Sequence, residues 1–131
     1  MTLGETGLYD TPVGKFDITV HSVKISESEG EHFPISDVFL IFDISLKNNH
    51  NEEVNSIDIL RSVLFNENET SSGNQFHLDF IEEFPITVSP GETVTGQLIF
   101  DHFESSYYEL VFGHALPAED IIWRFNIDEA E

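Results

Sequence analysis

Apolar and polar residues alternate with a period of two through most of this chain, and that period belongs to strands with one buried face. In residues 15–25, Phe16, Ile18 and Val20 share one parity while Val23 and Ile25 take the other. A bulge near His21 and Ser22 reconciles the two, because one extra residue turns every later side chain to the opposite face. Residues 38–46 begin apolar on both parities (Val38, Phe39, Leu40, Ile41, Phe42) and then alternate through Ile44 and Leu46. A central strand reads this way when one end is covered on both faces. Val94, Gly96, Leu98 and Phe100 alternate against Thr93, Thr95 and Gln97, with Ile99 making the far end apolar on both sides. Residues 107–112 and 121–128 predict two further strands, the second with Trp123 as a core anchor and Arg124 outward. Phe76, Leu78 and Phe80 share one parity and predict a short strand over 75–81. Residues 54–65 fit neither period cleanly: Ile57, Leu60 and Leu64 have partial helical spacing, but the β-branched content favours two short strands.

Turn signals punctuate these runs. Ser26-Glu27-Ser28-Glu29-Gly30-Glu31 reads as a solvated hairpin loop, Lys47-Asn48-Asn49-His50-Asn51 as a strand end, and residues 66–74 as a polar loop. In Ser89-Pro90-Gly91-Glu92, proline sets φ at the second turn position and glycine accepts positive φ at the third. Gly96, inside a strand, marks a place where a large facing residue needs room. About seven or eight short strands with regular turns, and no βαβ unit, predict an all-β antiparallel sandwich or small barrel. The expected domain is single, spanning residues 1–131 with an ordered core over about 4–127.

Composition narrows the function. With 40% hydrophobic residues and 12 Phe the chain is too apolar for a disordered segment, although 25 acidic against 5 basic residues give a net charge of −20. A field of that sign repels phosphate backbones and anionic lipid, so no nucleic-acid partner is expected. The absence of cysteine removes disulfides, thiolate metal sites and thiol nucleophiles. No stretch approaches the roughly 20 apolar residues of a membrane span, so no membrane insertion by this chain is expected. Residues 1–10 lack the basic-then-apolar profile of a secretory leader.

Four segments carry a resemblance: Val13-Gly14-Lys15-Phe16-Asp17-Ile18-Thr19-Val20, Phe39-Leu40-Ile41-Phe42-Asp43-Ile44-Ser45-Leu46, Pro90-Gly91-Glu92-Thr93-Val94-Thr95-Gly96-Gln97-Leu98-Ile99-Phe100 and Tyr108-Glu109-Leu110-Val111-Phe112. In this order they resemble the DUF4352 family, telokin-like domains related to the mycobacterial antigen MPT63. The resemblance covers about Gly4 to Ile127, and its most specific part, the segment beginning at Pro90, is a structural signature without chemistry. It implies an immunoglobulin-like β-sandwich, common in secreted or lipid-anchored bacterial proteins, and no functional residues to carry over. Residues 1–131 depart from the usual family layout in showing none of the leader, lipid-attachment cysteine and polar linker that the resemblance leads one to expect.

Candidate chemistry is thin. The six histidines at 21, 32, 50, 77, 102 and 114 include no His-x-His or His-x-x-x-His pair. A cross-strand site of His77, His102 and Asp101 is the one geometric option, set against isolated surface or edge histidines. Serine, histidine and acids are plentiful, but no Gly-x-Ser-x-Gly elbow presents a nucleophile. Glu27-Ser28-Glu29-Gly30-Glu31 and Asn66-Glu67-Asn68-Glu69 offer calcium-type oxygens without an EF-hand pattern. Tyr107, Tyr108 and Trp123 are a conceivable recognition patch, though their strand positions favour core packing. The expectation is a non-catalytic binding or accessory module of an exported or surface-associated bacterial protein, with no cofactor and no catalytic or metal residues assigned. Its expected partner is another protein or a cell-surface polymer, and its state a monomer or weak dimer. The alternative function is a weak calcium-binding or salt-adapted acidic structural domain. The resemblance places it outside the cell or at its surface, and the alternative location is cytoplasmic.

Overall fold

In a computed structural model, which describes residues 1–75, 78, 80–113 and 120–131, β1 (Thr6–Thr11) turns back into β2 (Gly14–Ser26), which pairs with β3 (Val38–Asn48). There follow β4 (Val54–Asn55), a five-residue helix α1 (Ser56–Leu60), β5 (Ser62–Asn66), β6 (Ser71–Gly73) and β7 (Thr87–Val88). The last strands are β8 (Thr93–His102), β9 (Tyr107–Phe112) and β10 (Ile121–Asn126), ahead of a 3-10 turn at Ile127–Glu129. One four-stranded sheet has the order β1-β2-β3-β8 and the other β10-β9-β5-β6, while β4 and β7 form a separate two-stranded ribbon. The pairings are antiparallel, so the chain is the immunoglobulin-like β-sandwich the pattern and the resemblance lead one to expect.

The two sheets are joined by rings. Phe42 of β3 meets Phe100 of β8 and Phe125 of β10 edge-on, at centroid distances of 5.6 and 5.5 Å, and Phe125 stacks on Tyr108 of β9 at 5.7 Å. Farther along, Tyr9 of β1 meets Phe112, and Phe112 meets Trp123. All seven rings are fully buried, and edge-to-face pairs stabilise beyond their area of contact. The Trp123 indole N–H donates to the Glu5 carbonyl at 3.0 Å, which satisfies the one polar atom of the largest core residue.

The bulge in β2 lies where the parity slips. Val20 faces Ile44 and Ser22 faces Asp43, so His21 is left over, its Nε2 hydrogen-bonded to the Ser45 hydroxyl at 2.6 Å. Val20 and Val23 are thereby both fully buried.

Three segments differ from the pattern reading. β1 goes unread because its inward positions include Gly7 and Thr11 while Leu8 points outward, 58% exposed. In residues 54–65 the two short strands exist but are interrupted by α1. Asn55 caps the helix by accepting from the Ile57 N–H at 2.9 Å, and Ile59 and Leu60 go into the core. Among the described residues of 75–81 there is no strand; Phe76 lies outside them. Gln75 makes a single bridge to Ile99, after which Leu78, Phe80 and Ile81 lie across the outer faces of Phe39, Ile41 and Ile99. This covering is why β3 and β8 are apolar on both sides.

The chain then returns as a strap. The Gln97 N–H donates to the Glu82 carbonyl at 2.6 Å, the Glu82 N–H donates to Gln97 Oε1 at 2.9 Å, and the Ser56 N–H and hydroxyl hold the Ile86 and Pro85 carbonyls at 2.9 and 2.7 Å. Phe84 lies on Gly96, where a Cβ atom would come within 2.7 Å of the ring. At the other edge, the Met1 ammonium donates to the Ile122 carbonyl and the Met1 carbonyl accepts from the Arg124 N–H, both at 2.8 Å.

Two outcomes are expected. Gly96→Ala should destabilise by about 1–3 kcal/mol through steric conflict with Phe84 alone. Added to Phe84→Ala the same change should cost almost nothing, a coupling readable in a chemical-denaturation double-mutant cycle. Tyr108 donates its hydroxyl to the Phe103 carbonyl at 2.6 Å, in the manner of a tyrosine corner. Burial first, and then the Glu104, Asp37 and Glu67 carboxylates, push its phenol from 10.0 up to about 12, with a Ser105 backbone hydrogen bond opposing them. Because the folded value lies above the unfolded one, the stability from the neutral phenol is complete below pH 10 and is lost as pH rises through about 12. Denaturation from pH 9 to 12.5 should show a fall of which Tyr108→Phe removes about 1–2 kcal/mol, the rest including the Tyr9 phenol, which burial also pushes up.

Candidate functional site

At one end of the sandwich β2, β5, β8 and β10 finish and β3 and β9 begin, and the loops that join them are built on carboxylates. After β2, the Ser26 hydroxyl donates to Glu29 Oε2 at 2.7 Å and Lys24 pairs with the same carboxylate at 3.1 Å. These contacts, the Ser26 bond foremost, hold the Glu29 carboxyl below its usual range. Glu29 and His32 exchange backbone hydrogen bonds around Gly30, whose φ of 60° only glycine adopts freely. The His32 ring stacks on Phe80 at 4.7 Å.

The next residues are fixed from β8. Both Asp101 oxygens accept backbone N–H groups, Ile35 at 2.6 Å and Ser36 at 2.8 Å, and the Asp37 carboxylate accepts the Glu104 N–H at 2.9 Å. Ile35 is nevertheless 94% exposed and Phe33 71%, with Phe103 half exposed on the β8–β9 connection. Apolar side chains are thus presented to solvent by tethered backbone.

Between these loops and the C-terminal segment lies a groove of about 730 Å³. Its floor is apolar, made by Ile25, Val38, Tyr108, Ile127 and Ala130, and its rim carries Glu27, Glu67, Glu104 and Glu131. The Glu131 N–H donates to the Val23 carbonyl at 2.8 Å, which lays the last residues along β2. The Ser106 hydroxyl donates to Glu67 Oε2, and the Ser105 hydroxyl to the Tyr107 carbonyl. The arrangement sets apolar surface beside carboxylates, which suits a ligand with an apolar body and a cationic head.

The residues singled out in the sequence are mostly dispersed. His102 sits at the end of β8, an edge strand of its sheet, but it is buried, which corrects the expectation of a surface histidine there. Its Nδ1 accepts the Phe103 N–H at 2.7 Å while its Nε2 lies 3.1 and 3.0 Å from the Leu64 and Thr70 carbonyls, so hydrogen bonding assigns the neutral Nε2–H tautomer. Asp101, on the opposite face of β8, is occupied by the two backbone N–H groups, and His77 and His114 lie outside the described residues. His21 bonds Ser45 and His50 lies against Gly14, far from one another in the sandwich. Among the described residues no three His, Asp or Glu side chains converge as metal ligands. In the second acidic segment, Asn66 Oδ1 turns inward to accept from Asn68 and Thr70. Tyr108 and Trp123 are core, and Tyr107 lies under the Arg124 guanidinium at 4.0 Å. Phe33, Ile35 and Phe103 were not singled out; the available signal was apolar residues inside loops, outside either period.

Comparison with known proteins agrees with this architecture. The fold superposes on MPT63, a secreted protein from Mycobacterium tuberculosis, with a TM-score of 0.71 at 13% identity, covering 96% of this chain and 95% of that one. A putative lipoprotein from Bacillus subtilis, ycdA, gives 0.71 at 16% identity over 96% of this chain and 39% of its own. The yjhA protein of Bacillus subtilis gives 0.64 at 20% identity over 96% and 100%. Likeness at these identities concerns the fold alone. No curated protein matches the sequence. The model of a domain of unknown function, DUF4352, matches residues 10–121, so the chain belongs to the DUF4352 family.

Proposed function

We propose that the domain is a non-catalytic binding module of an exported or surface-associated bacterial protein, and that it captures a basic, partly apolar segment of another protein at the acidic end of the sandwich. The observation that carries this reading is the groove with an apolar floor and the rim of Glu27, Glu67, Glu104 and Glu131. A net charge of −20 steers cations toward the molecule from every side, and the groove adds apolar surface where they arrive. Phe33, Ile35 and Phe103 expose further apolar surface on the loops at the same end, and the backbone of Ile35 and Ser36 is tied to Asp101, so its engagement would cost little loop entropy. The descriptions of MPT63 as secreted and of ycdA as a lipoprotein support placement outside the cytoplasm.

The test is fluorescence anisotropy with a labelled peptide of alternating lysine and leucine and its glutamate counterpart. The lysine peptide should bind and weaken by about tenfold or more as salt rises from 50 to 500 mM, while the glutamate peptide should not bind. Replacing the four rim glutamates by glutamine should weaken binding by about tenfold, and Ile35→Ser should weaken it with stability changed by no more than about 0.5 kcal/mol. Equal binding of the two peptides, or an unchanged affinity in the glutamine variant, would overturn the proposal.

A further inference from the structure

The two four-stranded sheets end in the rim strands β1, β8, β10 and β6, and all but β1 are guarded. Met1 covers β10, the Gln97 N–H and Ile99 carbonyl of β8 are taken by Glu82 and Gln75, and β6 has three residues. The six residues of β1, Thr6–Thr11, pair with β2 in unbroken register and contain no bulge, proline or lysine, the devices that ordinarily keep an edge from pairing with another molecule. The ladder identifies the groups left open. Lys15, which stands opposite Asp10, gives its carbonyl to the Asn49 N–H on the β3 side, so Asp10 and Lys15 form a pair without mutual backbone bonds. Alternation then turns the N–H and C=O of Thr6, Leu8 and Asp10 away from β2. Among the described residues no hydrogen bond reaches them from that side, and all three residues are exposed, Leu8 by 58%.

We propose that this edge pairs with the β1 edge of a second copy of the chain, antiparallel about a two-fold axis through Leu8, joining two four-stranded sheets into one. That axis sets Leu8 against its own counterpart and Thr6 against Asp10, each pair exchanging both of its backbone hydrogen bonds. An exposed leucine gains an apolar neighbour, and no carboxylate faces a carboxylate. Other registers are poorer. Sliding the second copy by two residues one way sets Leu8 against Asp10 and Thr6 against Pro12, which has no N–H to give. Sliding it the other way sets Asp10 against Gly4, outside the strand. In the favoured register Asp17, beside Leu8 in the ladder, and its counterpart stand three strand spacings apart, about 14 Å, beyond the roughly 8 Å over which charge acts at physiological salt. An edge this short buries less than the roughly 1,200 Å² of a stable interface, so the dissociation constant is about 0.1–1 mM. Association tightens as salt screens the charge of −20 on each copy, the opposite of the salt response of the acidic end groove, on which this inference does not depend.

Sedimentation equilibrium at protein concentrations up to about 1 mM tests the pairing. Dimers should form, with a dissociation constant that falls about threefold or more between 50 and 500 mM salt. Leu8→Lys and Leu8→Glu, at an exposed position where folding loses little, should each raise the constant by about tenfold or more. An equal mixture of the two variants should associate again, because each new charge meets its opposite across the axis. In the unaltered protein, exchange of the Leu8 amide hydrogen should slow as dimer forms, while that of Tyr9, already directed at β2, stays the same. A chain that remains monomeric at about 1 mM in 500 mM salt, a dimer indifferent to Leu8→Lys, a mixture of variants that does not associate, or a Leu8 amide unprotected in the dimer would each overturn the proposal.

Discussion

The rings that run from Phe100 through Phe42 and Phe125 to Tyr108 tie together two sheets that share no backbone ladder. Backbone hydrogen bonds hold strands within each sheet, and side-chain burial, with a few hydrogen bonds such as that of His102 on β8 to the Leu64 carbonyl of β5, holds one sheet on the other. In a chain of this size with no disulfide, that burial is the interaction every other feature leans on. Two of the polar atoms it takes along are answered, the Trp123 indole by the Glu5 carbonyl and the Tyr108 hydroxyl by the Phe103 carbonyl, while the buried Tyr9 hydroxyl finds no hydrogen-bond partner among the described residues.

The same requirement explains the outer layer. Phe39, Ile41 and Ile99 project away from the core and would be wetted if the chain after β6 ran directly into β7. Its detour across them and back over Gly96 converts an exposed sheet face into a second, smaller apolar cluster. The same detour leaves a cleft of about 210 Å³ lined by residues of α1, the strap and β8, among them Leu60, Phe84 and Leu98.

Much of this was legible in residue order. Val20 and Val23 on opposite parities imply the bulge at His21, the doubled apolar run at Val38 implies a covered outer face, and Gly96 implies a large neighbour. Those inferences work because each depends on spacing within one element. β1 escapes because Gly7 and Thr11 occupy inward positions that pattern reading assigns to solvent. His102 escapes because burial of a histidine depends on carbonyls at Leu64 and Thr70, 38 and 32 residues away. The acidic groove draws its lining from β2, β3, the β5–β6 turn, the β8–β9 connection, β9 and the C-terminus, so no local signal announces it.

The contact of Met1 with β10 bears on a different property. β10 is a rim strand whose outward carbonyls and N–H groups could accept a strand from another molecule, the usual first step of edge-to-edge aggregation. By taking the Ile122 carbonyl and the Arg124 N–H, Met1 closes that template at its centre. The acidic surface discourages approach at a distance, and this small clasp removes the reward for molecules that do come close.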